Sequence, residues 1–175
     1  MNEGETVSLG RYGTAMLVRT APDPQADAVE FEFRLGPRSP GPPPHRHPHQ
    51  EERWEVLEGT LDARVDGTPR RLSAGESIAI APGTAHGFRN RGEEPLRFRD
   101  VHLPARGFQR YIEQLAAILG QGRARDPRTL LRIARLVAAQ GDDQRPATRP
   151  GRIALSAAAG IARLLGLGVP GPARD

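Results

Sequence analysis

The stretch HRHPHQEERWEVLEG (residues 45–59) decides the fold of this 175-residue chain, together with GESIAIAPGTAHGFRN (residues 75–90). Three histidines and one glutamate of these stretches stand out as candidate ligands: His45, His47, Glu52 and His86. The first two histidines are two residues apart, so on an extended strand their side chains point to the same face. Three imidazoles and a carboxylate suit one divalent transition metal ion, such as Fe, Mn, Ni, Cu or Zn. The residues therefore predict a metal site and leave the identity of the metal open.

The order and spacing of these residues resemble the two motifs of the cupin superfamily. The first motif ends in His-x-His, three or four residues, Glu, six residues and Gly, and here this part is complete through Gly59. The second motif is matched by Gly75, Gly83, His86 and Asn90. Ser39 replaces the leading glycine of the first motif, with Gly41 close by, and Ala81 replaces the proline of the second. The resemblance implies a mainly β fold, a small antiparallel double-stranded β-helix or jelly-roll barrel, with the four residues above as metal ligands.

The hydrophobic pattern predicts many short strands in the first part of the chain. In residues 28–35, apolar residues at Val29, Phe31 and Phe33 alternate with Glu30 and Glu32, so one face is expected to be buried and the other wet. Further strands are predicted at 14–20, 53–58, 61–65, about 69–72, 77–81, 85–89 and 95–103. Eight or nine short strands with Gly and Pro turns favour a small antiparallel barrel or sandwich.

After Pro104 the apolar residues recur at helical spacing. Helical segments are predicted at 107–141 and 152–168, with Asp126 as a helix cap and Gly141 as a helix stop. Residues 142–151 are predicted to be a linker. The chain is therefore expected to comprise a β-barrel over residues 1–104 and a helical C-terminal extension over residues 105–175.

Composition excludes several kinds of chemistry. The chain has no cysteine, which excludes disulfides, thiolate metal ligands and cysteine nucleophiles. All 25 basic residues are arginine, so a lysine Schiff base is excluded as well. The first ten residues are acidic and lack an apolar core, so a cytoplasmic protein is expected. The apolar segment 153–169 is short and contains Arg163, so we expect it to cover the barrel or a partner in a homodimer. No integral membrane span is predicted, and association with a membrane surface is the less favoured alternative.

Charge is distributed unevenly along the chain. Residues 1–104 carry 13 arginines and 16 acidic residues, whereas residues 105–175 carry 12 arginines and 5 acidic residues. A basic tail can meet nucleic acid or an acidic membrane surface. Because no nucleic-acid-binding motif accompanies the charge, we expect a solvated arginine-rich helical face and no nucleic-acid partner.

Several residues near the predicted ligands are candidates for substrate contacts or catalysis. Strand alternation places Trp54 and Val56 on the face of Glu52, and Phe88 on the face of His86; all three either line a substrate pocket or belong to the barrel core. His49 shares the parity of the His-x-His pair and is a spare ligand or a rim residue. Asp100 and His102 share one face of the last strand. They are catalytic acid or base candidates if that face points inward, and surface residues if it points outward. The two orientations stay open.

The resemblance implies several possible activities around one metal ion. Among mononuclear cupins with this ligand set are dioxygenases that cleave flavonols or diketones, and also isomerases, decarboxylases, lyases and cyclases. Our first expectation is a dioxygenase-type oxidoreductase for a small aromatic or enolisable substrate. The alternative is a non-redox metalloenzyme in which the metal polarises a carbonyl and His102 or Asp100 carries the proton. A second alternative is a cupin that only binds a small molecule.

Overall fold

The computed structural model describes residues 1–19, 27–121 and 125–171. Eleven strands lie in the described residues: β1 (Thr6–Ser8), β2 (Thr14–Arg19), β3 (Val29–Leu35), β4 (His45–Arg46), β5 (Glu51–Glu58), β6 (Thr60–Val65), β7 (Thr68–Ser73), β8 (Ser77–Ile80), β9 (His86–Arg89), β10 (Leu96–Leu103) and β11 (Arg145–Pro146). Three α-helices are described: α1 (Phe108–Gln121), α2 (Pro127–Ala139) and α3 (Arg149–Leu164). A short 3₁₀ helix occupies Gly10–Tyr12.

The strands form two antiparallel sheets that enclose the core. Sheet A has the order β1-β2-β3-β10-β5-β8, and sheet B has the order β11-β4-β9-β6-β7. Most neighbours within a sheet are distant in sequence, which is the arrangement of a double-stranded β-helix. The predicted mainly β barrel followed by C-terminal helices is thus confirmed. The separation of the chain into residues 1–104 and 105–175 stays a prediction, and β11 adds a strand from the later part to sheet B.

Strand alternation places the core as predicted, with one exception. The expected inward residues of β3 are all buried, as are Trp54 and Val56 on β5. Glu30 was expected to face water, and this was wrong. Its residue is only 4% exposed, and its carboxylate lies 3.5 Å from the guanidinium of Arg99 on the neighbouring strand β10, which covers that part of the sheet.

The departures from the cupin motifs, at Ser39 and Ala81, lie in loops. Nearby residues make the contacts that hold these loops in place. Gly41 has a φ of 51°, and a Cβ atom there would meet the backbone oxygen of Phe88 at 1.8 Å. Only glycine allows this close approach of two backbone segments. Asn90, which follows β9, donates from its amide to the carbonyls of Gly36 and Glu94 at 2.9 and 2.8 Å. It therefore ties the loop before the ligand strand to the turn after β9.

Helices α1 and α2 follow the predicted signals and close one end of the barrel. Asp126 caps α2 by accepting a hydrogen bond from the Thr129 N–H at 2.9 Å, and Pro127 occupies the first turn. Ile112 and Leu119 of α1 belong to the same apolar core as the strands. Burying this helical face against the barrel removes apolar area from water, which stabilises the packing of α1.

Helix α3 packs on α2 and contacts the barrel through β11, so it does not cover the barrel directly. Its buried residues are Ala159 and Ala162, while Ile153 and Leu164 are exposed. Among the described helices, none combines the length and the apolar character that crossing a membrane requires. The homodimer and the cytoplasmic location stay predictions.

Candidate metal centre

Three strands of the barrel bring the predicted ligands together. In sheet B, His45 on β4 and His86 on β9 are paired directly across the ladder. Glu52 comes from sheet A, where it is the first of the buried, inward-facing residues of β5. His47 follows β4 and is 2% exposed. All four side chains are buried, and each offers one ligand atom within 4.8 Å of the others. They form a cluster that could hold a metal ion.

Glu52 lies at the centre of this cluster. Its Oε2 atom is 2.7 Å from Nε2 of His86 and 3.7 Å from Nε2 of His47. Its other oxygen, Oε1, accepts a hydrogen bond of 2.6 Å from the indole N–H of Trp54. The indole thus fixes the orientation of the carboxylate and leaves Oε2 directed at the imidazoles.

Backbone carbonyls fix the orientation of all three imidazoles. Nδ1 of His45 lies 2.9 Å from the oxygen of Pro43, and Nδ1 of His86 lies 2.9 Å from the oxygen of Thr84. Nδ1 of His47 lies 2.8 Å from the oxygen of Asp143. Because a carbonyl only accepts, each Nδ1 carries a proton, and each ring in its neutral form has the Nε2 lone pair available for a ligand. Such contacts orient metal-binding histidines and set their tautomer.

The donor atoms at the centre lack partners of their own. Nε2 of His47, Nε2 of His86 and Oε2 of Glu52 are buried, and none has a hydrogen-bond partner of acceptable geometry among the described residues. His86 and Glu52 approach each other as an ion pair, with 2.7 Å between these two atoms. Buried polar atoms without partners are costly. A divalent ion at their common focus would satisfy all of them, so the residues fit a metal.

Burial and mutual proximity set the protonation of the cluster. Burial, with the charges of the neighbouring imidazoles, lowers the pKa of His45 to about 3. Burial likewise lowers the pKa of His47 to about 4. Burial would lower the pKa of His86 too, but the adjacent Glu52 carboxylate outweighs it and raises this pKa. Burial would raise the pKa of Glu52, yet the imidazoles of His102, His86 and His47 hold it well below its usual value. At neutral pH two ligand histidines are therefore neutral.

Asp100 and His102 point inward and reach the same cluster. Nε2 of His102 lies 3.3 Å from Oδ2 of Asp100 and 3.9 Å from Oε1 of Glu52. Burial, followed by the charge of Glu52, raises the pKa of Asp100 well above its usual value. Burial lowers the pKa of His102 to about 4. The ring of His102 stacks on Phe108 with centroids 3.5 Å apart. Asp100 is thus a neutral acid beside the cluster, and His102 is a neutral base.

An apolar cavity of about 130 Å³ opens onto the cluster. His45, His47, Glu52 and Asp100 are among the residues that line it. The rest of the lining comes from the barrel and from the later part of the chain, which contributes Phe108, Tyr111, Ile112, Leu115, Ile133 and Gln144. The later part of the chain therefore shapes the space over the candidate metal site.

The other predicted residues have different positions relative to this cavity. Phe88 lines it, whereas Trp54 and Val56 are fully buried in the core and are not among its lining residues. The substrate-binding role of these three residues stays a prediction. His49 is exposed and outside the cluster. Glu51 turns away from the ligands and pairs with Arg53.

Sequence reasoning did not identify Tyr111, Gln144 and the Asp143 carbonyl as parts of the site. Tyr111 shares the helical face of Phe108 and Leu115, and that periodicity is a signal that could have placed it toward the barrel. Gln144 and Asp143 lie in a polar segment whose spacing carries no such signal. They reach the site because β11 pairs with β4.

Comparison with known proteins agrees with this architecture. Residues 31–102 match the Cupin_2 family, described as a cupin domain. The structure of KdgF from Halomonas sp. superposes with a TM-score of 0.53 at 21% identity, covering 60% of this chain and 90% of that one. The chain therefore carries a cupin domain over residues 31–102.

The curated relatives differ in function. PuuR of Escherichia coli strain K12, an HTH-type transcriptional regulator, is 31% identical over 106 residues, which is 59% of this chain and 56% of PuuR. The tetracenomycin polyketide synthase protein TcmJ of Streptomyces glaucescens is 36% identical over 53 residues, or 30% of this chain and 36% of TcmJ. The chain thus spans about half the length of PuuR and about a third of TcmJ. The two relatives have different roles by name, one as a transcriptional regulator and the other as a polyketide synthase protein.

Proposed function

We propose that the protein binds one divalent transition metal ion through His45, His47, Glu52 and His86, and that it acts at this ion as a dioxygenase-type oxidoreductase on a small, neutral, enolisable substrate. One observation carries the proposal: buried, partnerless nitrogen and oxygen donors converge beside an apolar cavity. Four protein ligands leave one or two coordination positions open, so the bound ion would supply a place where substrate and dioxygen meet.

Backbone and side-chain groups of the protein orient the four ligands around the proposed metal position. The backbone acceptors of Pro43, Thr84 and Asp143 hold the imidazoles with Nε2 toward the centre. Trp54 holds the Glu52 carboxylate from the far side. The apolar wall from α1 and α2 keeps bulk water away from the reacting atoms, which favours chemistry that water would quench.

The character of the cavity wall supports a neutral substrate. Although the chain has 25 arginines, none is among the described residues that line this cavity. Besides the cluster, the polar groups in the wall are the phenols of Tyr12 and Tyr111 and the amide of Gln144. Burial raises the pKa of Tyr111 to about 12, so the phenol stays neutral. Oε1 of Gln144 is buried without a partner among the described residues and is free to accept a bond from a substrate hydroxyl.

Oxygen consumption tests the proposal. Protein loaded separately with Fe, Mn, Ni, Cu or Zn is offered a panel of enolisable aromatic compounds and diketones, and oxygen uptake is followed. We expect turnover with at least one redox-capable ion and none with zinc, which has no accessible redox change. Undiminished turnover of zinc-loaded protein without oxygen would reject the dioxygenase assignment. Tight binding with no turnover in any metal form would favour the non-enzymatic binding function.

A specific observation also supports the non-redox candidate, an isomerase, lyase or cyclase. Asp100 lines the cavity and has a raised pKa, so it is a protonated acid beside the cluster. In this mechanism Asp100 exchanges a proton with the substrate, and His102 holds its carboxyl. Asp100→Asn would then lower anaerobic turnover of the zinc form roughly a hundredfold. Asp62→Asn, the same change on the outer face of sheet B, is the control and should have no such effect.

A further inference from the structure

The outer faces of the two sheets carry arginines in different electrostatic settings. On sheet A, Arg97 lies 3.6 Å from the carboxylates of both Glu32 and Glu58. Arg99 lies 3.5 Å from Glu30 and 3.6 Å from Glu55. These arginines are neutralised by glutamates on adjacent strands, which is the usual way a sheet surface balances its charge.

Sheet B has no such balance. Six arginines line a groove of about 570 Å³ on its outer side: Arg11, Arg64, Arg70, Arg71, Arg89 and Arg91. All six are exposed, and none takes part in the ion pairs formed among the described residues. Among the described residues that line the groove, Asp62 is the single acidic residue beside these six arginines. Concentrated charge of one sign in a concave surface attracts ligands of the opposite sign.

Strand register explains why the arginines converge. Asp62 on β6 is paired with Arg71 on β7 and with Arg89 on β9, so these three residues lie side by side across the sheet. Two residues along β6, Arg64 is paired with Pro69 and Gly87. Small or short neighbours at these positions leave the floor of the groove open around the Arg64 guanidinium, which also donates to the carbonyl of Gly67 at 2.9 Å.

A rigid wall bounds the groove on the other side. This wall is the proline-rich segment Pro40–Pro44, in which the rings fix the backbone and Gly41 lies against Phe88. The segment also borders the cavity over the metal cluster, since Gly41 and Pro42 line both. The groove has the size of a small-molecule site, for which volumes of roughly 300–1,000 Å³ are usual.

We propose that this groove binds a small anion that carries two or more phosphate groups. Guanidinium groups match phosphate oxygens with paired N–H donors, and several of them together select multiply charged phosphates over single ones. The volume of the groove, about 570 Å³, is that of a small-molecule site, which favours a small molecule over a nucleic-acid strand. This binding is independent of the metal-dependent function proposed above.

Calorimetric titration with inorganic tripolyphosphate tests the proposal on the metal-loaded full chain. Metal content is measured before and after, because the probe also chelates metal ions. We expect saturable binding at 50 mM salt that weakens as salt rises, and weaker binding of orthophosphate. The double variant Arg71→Ala/Arg89→Ala should weaken binding roughly tenfold or more, since it removes two charge-assisted contacts. Asp62→Asn should tighten binding, because it removes the negative charge between the two arginines.

The matched control is Arg97→Ala/Arg99→Ala, which makes the same change in net charge on sheet A. We expect it to alter tripolyphosphate binding less than twofold. Equal losses of tripolyphosphate affinity in the two double variants would show that only net charge matters, and would overturn the proposal. Absence of binding at 50 mM salt would overturn it as well. A single-stranded oligonucleotide that binds more tightly than tripolyphosphate would overturn the assignment to a small ligand. Misfolding can weaken tripolyphosphate binding but cannot tighten it. Tighter binding by Asp62→Asn would therefore show that the weaker binding of the arginine variants does not reflect misfolding.

Discussion

Nδ1 of His47 donates to the carbonyl oxygen of Asp143 at 2.8 Å, across 96 residues of sequence. The partner is a backbone atom of the segment between α2 and β11. That segment is held to the barrel by the ladder of β11 with β4, by the Ala147 N–H bond to Pro44 at 3.0 Å, and by Arg46, whose guanidinium donates to Ala147 at 3.0 Å. The C-terminal part of the chain therefore orients one of the candidate metal ligands.

The first prediction concerns this attachment. Ala147→Pro removes the N–H that bonds to Pro44, so the segment should loosen and the acceptor of His47 should move. We expect metal affinity to fall roughly ten- to a hundredfold, the usual effect of losing a contact that orients a metal ligand. Competition titration against a metal indicator measures it. Ala147→Ser keeps the N–H and should bind normally; equal affinities of the two variants would contradict the prediction.

The second prediction concerns the ligands themselves. His86→Ala should lose most of the bound metal, because it removes an Nε2 donor at the centre of the cluster. His49→Ala is the matched control, since His49 is a nearby but exposed histidine, and it should keep its metal. Elemental analysis of both purified variants gives the metal per chain. Full occupancy in His86→Ala would disprove the ligand assignment.

The third prediction concerns pH. A metal binds neutral imidazole, and the lowered pKa values of His45, about 3, and His47, about 4, leave these rings neutral above pH ~5. The pKa of His86 is raised above its usual value of 6.5, so below about pH 6.5 its proton competes with the metal. Metal affinity should therefore fall as pH decreases, with about one proton displaced per metal near pH 6, and more steeply below pH ~4. Titrations in buffers of different ionisation enthalpy count the protons. Release of two or three protons near pH 7 would contradict these assignments.

The fourth prediction concerns the choice of substrate. 2′-Hydroxyacetophenone and salicylate have similar size and both carry an ortho phenol, but only salicylate is an anion at neutral pH. The cavity has no arginine among its described lining residues, so the neutral ketone should bind more tightly. Gln144→Leu should weaken its binding roughly three- to tenfold through the loss of one hydrogen bond.

Gln140→Leu is the control for that experiment, because Gln140 does not line the cavity. Each compound is titrated into the zinc-loaded and the metal-free protein. The difference separates the contribution of the cavity wall to binding from that of the metal ion. Tighter binding of salicylate in both forms would show that the wall does not select neutral ligands.

Much of the fold was predictable because it depends on short-range pattern. The alternation in β3 and β5 identified the buried residues, and the Asp126-Pro127 pair identified the start of α2. The spacing of the His-x-His pair, Glu52 and His86 identified the cluster, because strand geometry fixes which side chains share a face. Glu30 was the exception, since its burial depends on Arg99, which lies on another strand.

The inward orientation of Asp100 and His102 could not be obtained from their own strand, where both orientations fit the pattern. It depends on the pairing of β10 between β3 and β5. The short strand β11 was likewise absent from the prediction, because two residues of a polar segment carry no periodicity. Its existence depends on the partner strand β4.

The barrel, the four candidate ligands and the C-terminal helices were predictable from the amino-acid sequence, because each rests on periodicity or on the spacing of motif residues. Long-range packing established that Asp143 orients His47, that Tyr111 and Gln144 line the cavity, and that arginines outside the ion pairs of the described residues gather on sheet B. These relationships join residues far apart in the chain. They depend on which surfaces bury apolar area against each other and on the register of paired strands, and no local pattern records either.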